Sequence, residues 1–366
     1  MSFVHLHTHS EYSLLEAACR IKSLAKKASE DQMSAVALTD NGNMFGAIEF
    51  YFACLDKGVK PIIGLDAYLA PGSRLEKKQD PNQKFSEASL GPRRLVLLAE
   101  NFKGYQNLCQ LSTTGFKEGF YWKPRIDNEV LAKYSSDLIC LTGGFRGEVA
   151  DTYLREGPES ALKRLRELKE IFPDRLYLEM CRTRPEWNQV NSFIIEASQI
   201  LNLPVVATND VHYISPDEQI AQEVLVCIGS NKTLSDDSRY QLGSSEFYFK
   251  SQAKMEALFK DLPKAISNTV EIANRCEVKF KLKDANGKAI YHLPSFPTTE
   301  GRSVLEEIKY RSNIGLQRRF DEMTEKGILL LEPRKKEYQA RLDYELTVID
   351  RMGFNGYFLI IQDFIN

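Results

Sequence analysis

Several things that would label a chain quickly are scarce or missing here. The cysteines, Cys19, Cys54, Cys109, Cys140, Cys181, Cys227 and Cys276, are odd in number and scattered, with no C-x-x-C pair. That excludes a disulfide-stapled secreted fold and a structural zinc knuckle. Neither charge is in excess, since 48 Lys and Arg face 50 Asp and Glu for a formal net charge of −2, so no overall basic field advertises nucleic acid. No apolar run approaches the roughly 20 residues that span a bilayer, and the amino terminus lacks the shape of a signal peptide. These absences predict a soluble, cytoplasmic, reduced protein with no membrane attachment. At 366 residues it has room for one large domain and a smaller unit.

Histidine is also rare, five in all, yet three of the five lie in Phe3-Val4-His5-Leu6-His7-Thr8-His9-Ser10. Alternate residues of a strand share a face, so His5, His7 and His9 are expected to point the same way. Aliphatic side chains would fill that volume without needing hydrogen-bond partners. The use that explains them is metal ligation; the alternative is a polar cluster satisfied by carboxylates and backbone. A second apolar run from Pro204 ends in Asp210-Val211-His212, again two possible ligands at strand spacing. The runs from Ser34 and Pro61 stop at Asp40-Asn41 and Asp66. Four strands ending in acids or imidazoles put a site at the carboxyl ends of an α/β sheet.

Between these runs, strand and helix patterns alternate. Ile21, Leu24, Ala25 and Ala28 have helical spacing, and 44–55 reads as a helix. The runs at 95–99, 138–142 and 176–180 read as strands. Two amphipathic helices flank 176–180, and Pro173 ends the first. Ser215-Pro216-Asp217-Glu218 is a capping box with proline at the first helical position. Seven strands result, and the alternation argues for a parallel sheet with right-handed crossovers. If His7 and His9 share a site with Asp210 and His212, strand seven returns beside strand one in a closed barrel. Residues 71–92 are polar and read as a surface excursion. A helix is expected around Ile266, Val270, Ile272 and Ala273. Residues 286–300, with His292, read as a linker after a domain of 1–285. Helices follow at 303–326 and 336–351. The closing apolar run lacks a cap, which suggests a chain cut inside a domain.

FVHLHTHSEYSLLEA, ALTDNGNMFGAIEFY, KPIIGLDAYLA, LVLLAENFKGYQNL, LTGGFRGEVA and VVATNDVHYISPDE, in this order, closely resemble the polymerase and histidinol phosphatase (PHP) domain that starts the bacterial DNA polymerase III α subunits. The downstream text, from EFYFKSQAKMEALFKDLPKAISNTVEIANRC to YELTVIDRMGFNGYFLIIQDFIN, fits as well, so the resemblance covers essentially the whole chain. It implies a distorted seven-stranded β/α barrel followed, over 301–366, by the beginning of a polymerase palm. The palm aspartates would lie beyond Asn366. It also implies a cluster of His, Asp, Glu and Cys that holds up to three phosphoester-cleaving metal ions.

On that pattern His7, His9, Asp40, Asp210 and His212 match, while Glu16 and Asp66 exchange Asp and Glu. Asn41 and Arg94 stand where histidines are common, and Gly144 where others have Cys or His. His7, His9, Asp66 and Asp210 could serve one divalent ion, zinc or manganese. A second ion would have to lean on Arg94 and Gly144, a permanent cation and a residue with no side chain. A third would need Glu16, Asn41 and His212. No catalytic residue is therefore assigned within this chain. The implied function is part of a magnesium-dependent replicative polymerase. The PHP domain would act as scaffold and docking site for the proofreading exonuclease subunit, with sliding-clamp, clamp-loader and DNA contacts made through the rest of the polymerase. The alternatives are a metal-dependent phosphoesterase or 3′–5′ exonuclease, and a metal-free interaction module.

Overall fold

Strands β1 (Ala35–Leu38), β2 (Lys60–Leu69) and β3 (Arg94–Ala99) begin a curled sheet in a computed structural model that describes residues 2–77, 93–283, 285, 287, 290 and 294–365. Next come a short hairpin of β4 (Phe120–Tyr121) and β5 (Lys123–Ile126), then β6 (Leu138–Leu141), β7 (Leu176–Cys181) and β8 (Val205–Thr208). Helices α1 (Ile21–Glu30), α2 (Ala47–Asp56), α3 (Phe102–Lys117), α4 (Asn128–Lys133), α5 (Glu148–Glu156), α6 (Pro158–Ile171) and α7 (Asn188–Leu201) connect the strands. After β8 come α8 (Gln219–Ser230), α9 (Gln252–Leu258) and α10 (Pro263–Arg275). The Ser215 capping box forms, with Pro216 opening a short 3-10 turn. His292 and residues 78–92 lie outside the described residues.

The parallel expectation holds for β1 on β2, β6 on β7 and β7 on β8. It fails for β3, which runs antiparallel to both β2 and β6. The reason is the connection. The carboxyl end of β2 lies beside the amino end of β3, with Tyr68 opposite Arg94, so the next strand runs backwards. Along its other edge β2 pairs first with β1 and then, at Tyr68 and Leu69, with β5.

The amino-terminal segment is extended, but it does not form a regular ladder. It bends at His7, and Thr8 bridges Val211. Its backbone nevertheless closes the ring: Ala37 N donates to His5 O at 2.8 Å on one side, and His9 N to Val211 O at 2.9 Å on the other. The bend also breaks the expected alternation. His5 leaves the shared face, packs between Phe3 and Phe249, and bonds Lys250 O through Nε2 at 2.8 Å.

Val4, Leu6, Ile62, Val96, Leu98, Ile139, Leu141 and Val206 fill the ring, and Ile272, Ala273 and Cys276 of α10 and its end pack against them. A second layer, including Leu24, Phe50, Leu65, Leu97, Leu108, Leu165 and Leu178, packs between strands and outer helices. Each fully buried aliphatic side chain contributes about 1.5–3 kcal/mol, so the ring is rigid where it carries polar groups.

Contacts divide the chain into compact units Met1–Phe280 and Lys281–Asn366. The second holds α11 (Val304–Glu325), α12 (Glu332–Met352) and α13 (Asn355–Ile365) around Ile308, Leu346 and Leu359. Ser303 and Glu306 form the capping box of α11. No helix among the described residues is long and apolar enough to cross a membrane.

Candidate metal centre

Strand periodicity delivers two acids and a guanidinium to the inside of the ring. Ile62, Asp66, Arg94, Val96, Tyr177 and Glu179 alternate with residues of the outer layer, so the polar members stand above the apolar fill. The bend at His7 and a left-handed Asp210 (φ 47°) turn the two terminal motifs over the same opening. A non-glycine residue in that region is held there by its surroundings at some cost, a mark of functional positions.

Three imidazole nitrogens converge on one carboxylate oxygen: Nε2 of His9, His212 and His7 lie 2.9, 3.1 and 3.6 Å from Asp210 Oδ1. His7 Nε2 is also 3.1 Å from His9 Nε2 and 3.7 Å from Asp66 Oδ2. All are buried. Candidate ligand atoms fall within 4.8 Å of one another in two overlapping sets, His7-His9-Asp66 and His9-Asp210-His212. Asp66 Oδ1 and His212 Nε2 have no hydrogen-bond partner among the described residues. His212 Nε2 is close to Asp210 but not aligned for a bond. Buried polar atoms left unpaired are costly, and imidazoles crowded around carboxylates are a donor set suited to a divalent cation. The residues therefore fit one ion. Burial, with His212 and His7 close by, pushes His9 down to about 3, which leaves it neutral and able to ligate. His7 behaves oppositely: burial opposes charge, but Glu179, Asp210 and Asp66 outweigh it and raise the imidazole. Burial would likewise raise Asp210, yet His212 and His7 hold it well below the usual carboxylate range.

The neighbouring half of the opening is occupied by a guanidinium. Arg94, fully buried, donates from Nη1 to Asp66 Oδ2 at 2.7 Å and to the Asn41 side-chain oxygen, and from Nη2 to Glu16 Oε2 at 3.2 Å. Asn41 Nδ2 returns a bond to Glu16 at 2.7 Å, and Lys123 pairs with the other Glu16 oxygen. Burial would raise Glu16, but Arg94 and Lys123 bring it down to about 2. Arg94 also lies over the Tyr68 ring at 4.8 Å.

A family model described as the PHP domain matches residues 5–183. The chain carries a PHP domain. A second model, described as the bacterial DNA polymerase III alpha NTPase domain, matches 308–366. Similar curated proteins include the DNA polymerase III subunit alpha of Borreliella burgdorferi, 40% identical over 99% of this chain and 30% of its own length. That of Treponema pallidum is 39% identical over all of this chain and 30% of its own, and that of Thermus aquaticus 37% identical over all of this chain and 33% of its own. The chain spans about a third of the length of these relatives. Among solved structures, a putative metal-dependent phosphoesterase from Bifidobacterium adolescentis matches 58% of this chain and 88% of its own, at 12% identity and a TM-score of 0.35.

Within this PHP domain the four expected ligands do not fall in a single set: His7, His9 and Asp66 form one, and Asp210 joins His9 in another that His212 completes. The residues that a third ion would need are apart: Glu16 and Asn41 are bound to Arg94, while His212 stands with His9 and Asp210. Asp40 turns away from the imidazoles, accepting from Ser10 N and Oγ at 2.7 Å and Ser13 Oγ at 2.6 Å, so it organises the following turn. Gly144 (φ +56°) faces Glu179 Oε1, which a Cβ there would approach to 3.5 Å.

Glu179 is the residue that sequence reasoning missed. It accepts from His7 Nδ1 at 2.7 Å and Thr208 Oγ1 at 2.6 Å, and so turns His7 Nε2 toward the centre. A carboxylate behind an imidazole fixes tautomer and ring orientation. The available signal was an acid inside the apolar strand Leu176–Cys181, which is buried at every position.

Proposed function

We propose that the chain works as the PHP-bearing portion of a DNA polymerase III α subunit. In this reading the domain is a scaffold and docking surface for the proofreading exonuclease subunit, and its metal centre is reduced to a single divalent ion, zinc or manganese. The ion would be held by His7, His9, Asp66 and Asp210. When bound, it would supply charge neutralisation for Asp66 and Asp210. Template-directed DNA synthesis, with magnesium, belongs to the whole polymerase. Contacts with DNA, sliding clamp and clamp loader would be made by that larger protein.

The observation that carries the reduced-site reading is Arg94. It is buried on Asp66 where a second ion would sit, and a fixed guanidinium repels a cation about 4 Å away by a few kcal/mol at an effective dielectric near 20. Phosphoester hydrolysis that depends on paired ions to activate water and steady the leaving oxygen then loses its second partner. Similarity to the named polymerase subunits along the whole chain supports the polymerase part. The docking part draws support from α2, whose outer face exposes Ile48, Phe52 and Leu55 while Phe50 and Cys54 pack inward.

The convergence of His7, His9, Asp210 and His212 favours a second reading, a metal-dependent phosphoesterase or 3′–5′ exonuclease. Metal content and nuclease rate of the purified chain decide between them. One ion or fewer per chain with background hydrolysis is expected. Manganese- or zinc-dependent digestion of single-stranded DNA that disappears in Asp210→Asn would establish the hydrolase.

A further inference from the structure

Residues 231–249, which join α8 to the bridge between Tyr213 and Tyr248, have no helix or strand of their own. Loops of this length inside a compact domain are uncommon and are often lids over sites. The segment crosses the ends of three successive strands. Tyr240 accepts a hydrogen bond on its hydroxyl from Arg146, in the turn after β6. Leu242 O accepts from Arg184 Nη1, beyond β7, at 3.1 Å. Glu246 O and Tyr248 O accept from Asn209 Nδ2, beyond β8, at 2.8 and 2.9 Å.

The two halves of the segment are held differently. Residues 246–249 are tied by backbone, His212 N to Phe247 O at 2.8 Å and Phe249 N to Tyr213 O at 2.9 Å. Residues 231–241 are largely exposed, and Leu242 is the first fully buried side chain after them. Left-handed backbone lies at both ends of this looser half, Asn231 (φ 53°) and Gly243 (φ 74°). A Cβ at Gly243 would come within 2.5 Å of the Arg184 guanidinium, so the latch is shaped around a glycine. Beneath Leu242 and Phe247 lie Cys181, Trp187 and Tyr213, and the Phe247 ring is 5.8 Å from His212. Arg146 is coupled electrostatically to the centre, since its charge acts on Glu16 and the charge of Asp210 acts on it.

We propose that residues 231–243 form a flap over the opening of the barrel, latched by Tyr240 on Arg146 and by Leu242 on Arg184, and that its opening admits ions to the His/Asp centre. The admission step rests on the single-ion reading above; the flap itself does not. Opening must also break the ion pair of Arg239 Nη1 with Glu223 Oε2 of α8 at 2.8 Å, but the flap buries few side chains of its own, and such segments are the first to open locally.

Cys181 reports on the flap without any metal. The experiment is pulsed iodoacetamide labelling of the 366-residue chain, with peptide mass spectrometry comparing Cys181 to Cys140, which is buried in the outer core layer. Tyr240→Phe removes one bond to a charged donor, a loss that corresponds to about tenfold in an equilibrium. It should raise Cys181 labelling by about that factor and leave Cys140 unchanged. Unchanged Cys181 labelling, or Cys181 and Cys140 rising together, would overturn the flap. Zinc uptake followed with a chromogenic chelator should accelerate in step with Cys181 labelling. Faster labelling with an unaltered uptake rate would show that the flap does not gate the centre. If the chain takes up no zinc at all, the gating step is wrong along with the single-ion reading, and Cys181 still decides whether the flap exists.

Discussion

The two halves of the barrel opening are built from similar material and reach opposite solutions. On one side, His7, His9 and His212 crowd around Asp210, and Asp66 Oδ1 and His212 Nε2 have no hydrogen-bond partner among the described residues. On the other, Arg94 reaches Asp66, Asn41 and Glu16, and Lys123 completes the neutralisation of Glu16. The first half is left with donors directed at a shared centre. The second has taken its cation from its own sequence. An arginine carried on a strand cannot be chelated away or exchanged, so the neutralising charge of this half is part of the chain itself. Asp66 belongs to both halves, which makes it the most sensitive place to test the contrast.

Asp66→Ala should therefore have the largest effect. It strands a buried guanidinium, and breaking a buried pair from one side costs about 3–5 kcal/mol. For a domain of this size that lowers the melting temperature by roughly 10 °C, measurable by circular dichroism with chelator present. A loss of only a degree or two would mean that Asn41 and Glu16 alone satisfy Arg94.

The paired change Asn41→His with Arg94→His converts the second half into a copy of the first. Without metal it should lose about 2–3 kcal/mol, because Glu16 and Asp66 are left facing each other with Lys123 alone. With zinc or manganese, elemental analysis should give two ions per chain against at most one in the parent. An unchanged ion count would show that Arg94 is not what excludes the second ion.

How far these residues could be read from the sequence depends on what sets each position. Asp66, Asp210 and His212 were legible because they stand within or just past strands, whereas His7 and His9 reach the same opening through a bend and not through strand period. Glu179 was not, since one acid within Leu176–Cys181 looks the same whether its strand face meets solvent or a barrel interior. Asp40 was legible as a strand-end acid but not in its role, which Ser10 and Ser13 decide. The barrel followed from the need to bring residues 7–9 beside residue 210. The reversal of β3 did not, because the geometry of a return connection is not written in the polar residues of 71–92. His5, read from the sequence as a packing residue, does pack, on Phe3 and Phe249; only the face it was expected to share is lost, to a bend that no residue type in its neighbourhood announces.

A smaller effect comes from emptying the first half. If one ion is bound at a hundred times its dissociation constant, it stabilises the fold by about 2.7 kcal/mol. Chelation should then lower the melting temperature of the parent chain by several degrees and leave His9→Ala, already without metal, unchanged. Equal responses of the two proteins to chelator would remove His9 from the ligand set and favour a hydrogen-bonded polar cluster.

The smallest effect concerns Gly144, at the edge of the first half. Its backbone is left-handed (φ +56°), and an added Cβ would meet Glu179 Oε1 at 3.5 Å, an ordinary contact. There is room for a side chain, so the cost of adding one is mainly conformational. Gly144→Ala should destabilise by about 1–2 kcal/mol, the cost of that region for an ordinary L-residue, and Gly144→Asn by less, because asparagine visits it more readily. Neither change removes a ligand, so metal content should match the parent. A loss well above 3 kcal/mol for alanine would indicate that the space beside Glu179 is filled when the chain is folded. A loss of bound metal would mean that the orientation Glu179 gives His7 depends on a bare backbone at position 144.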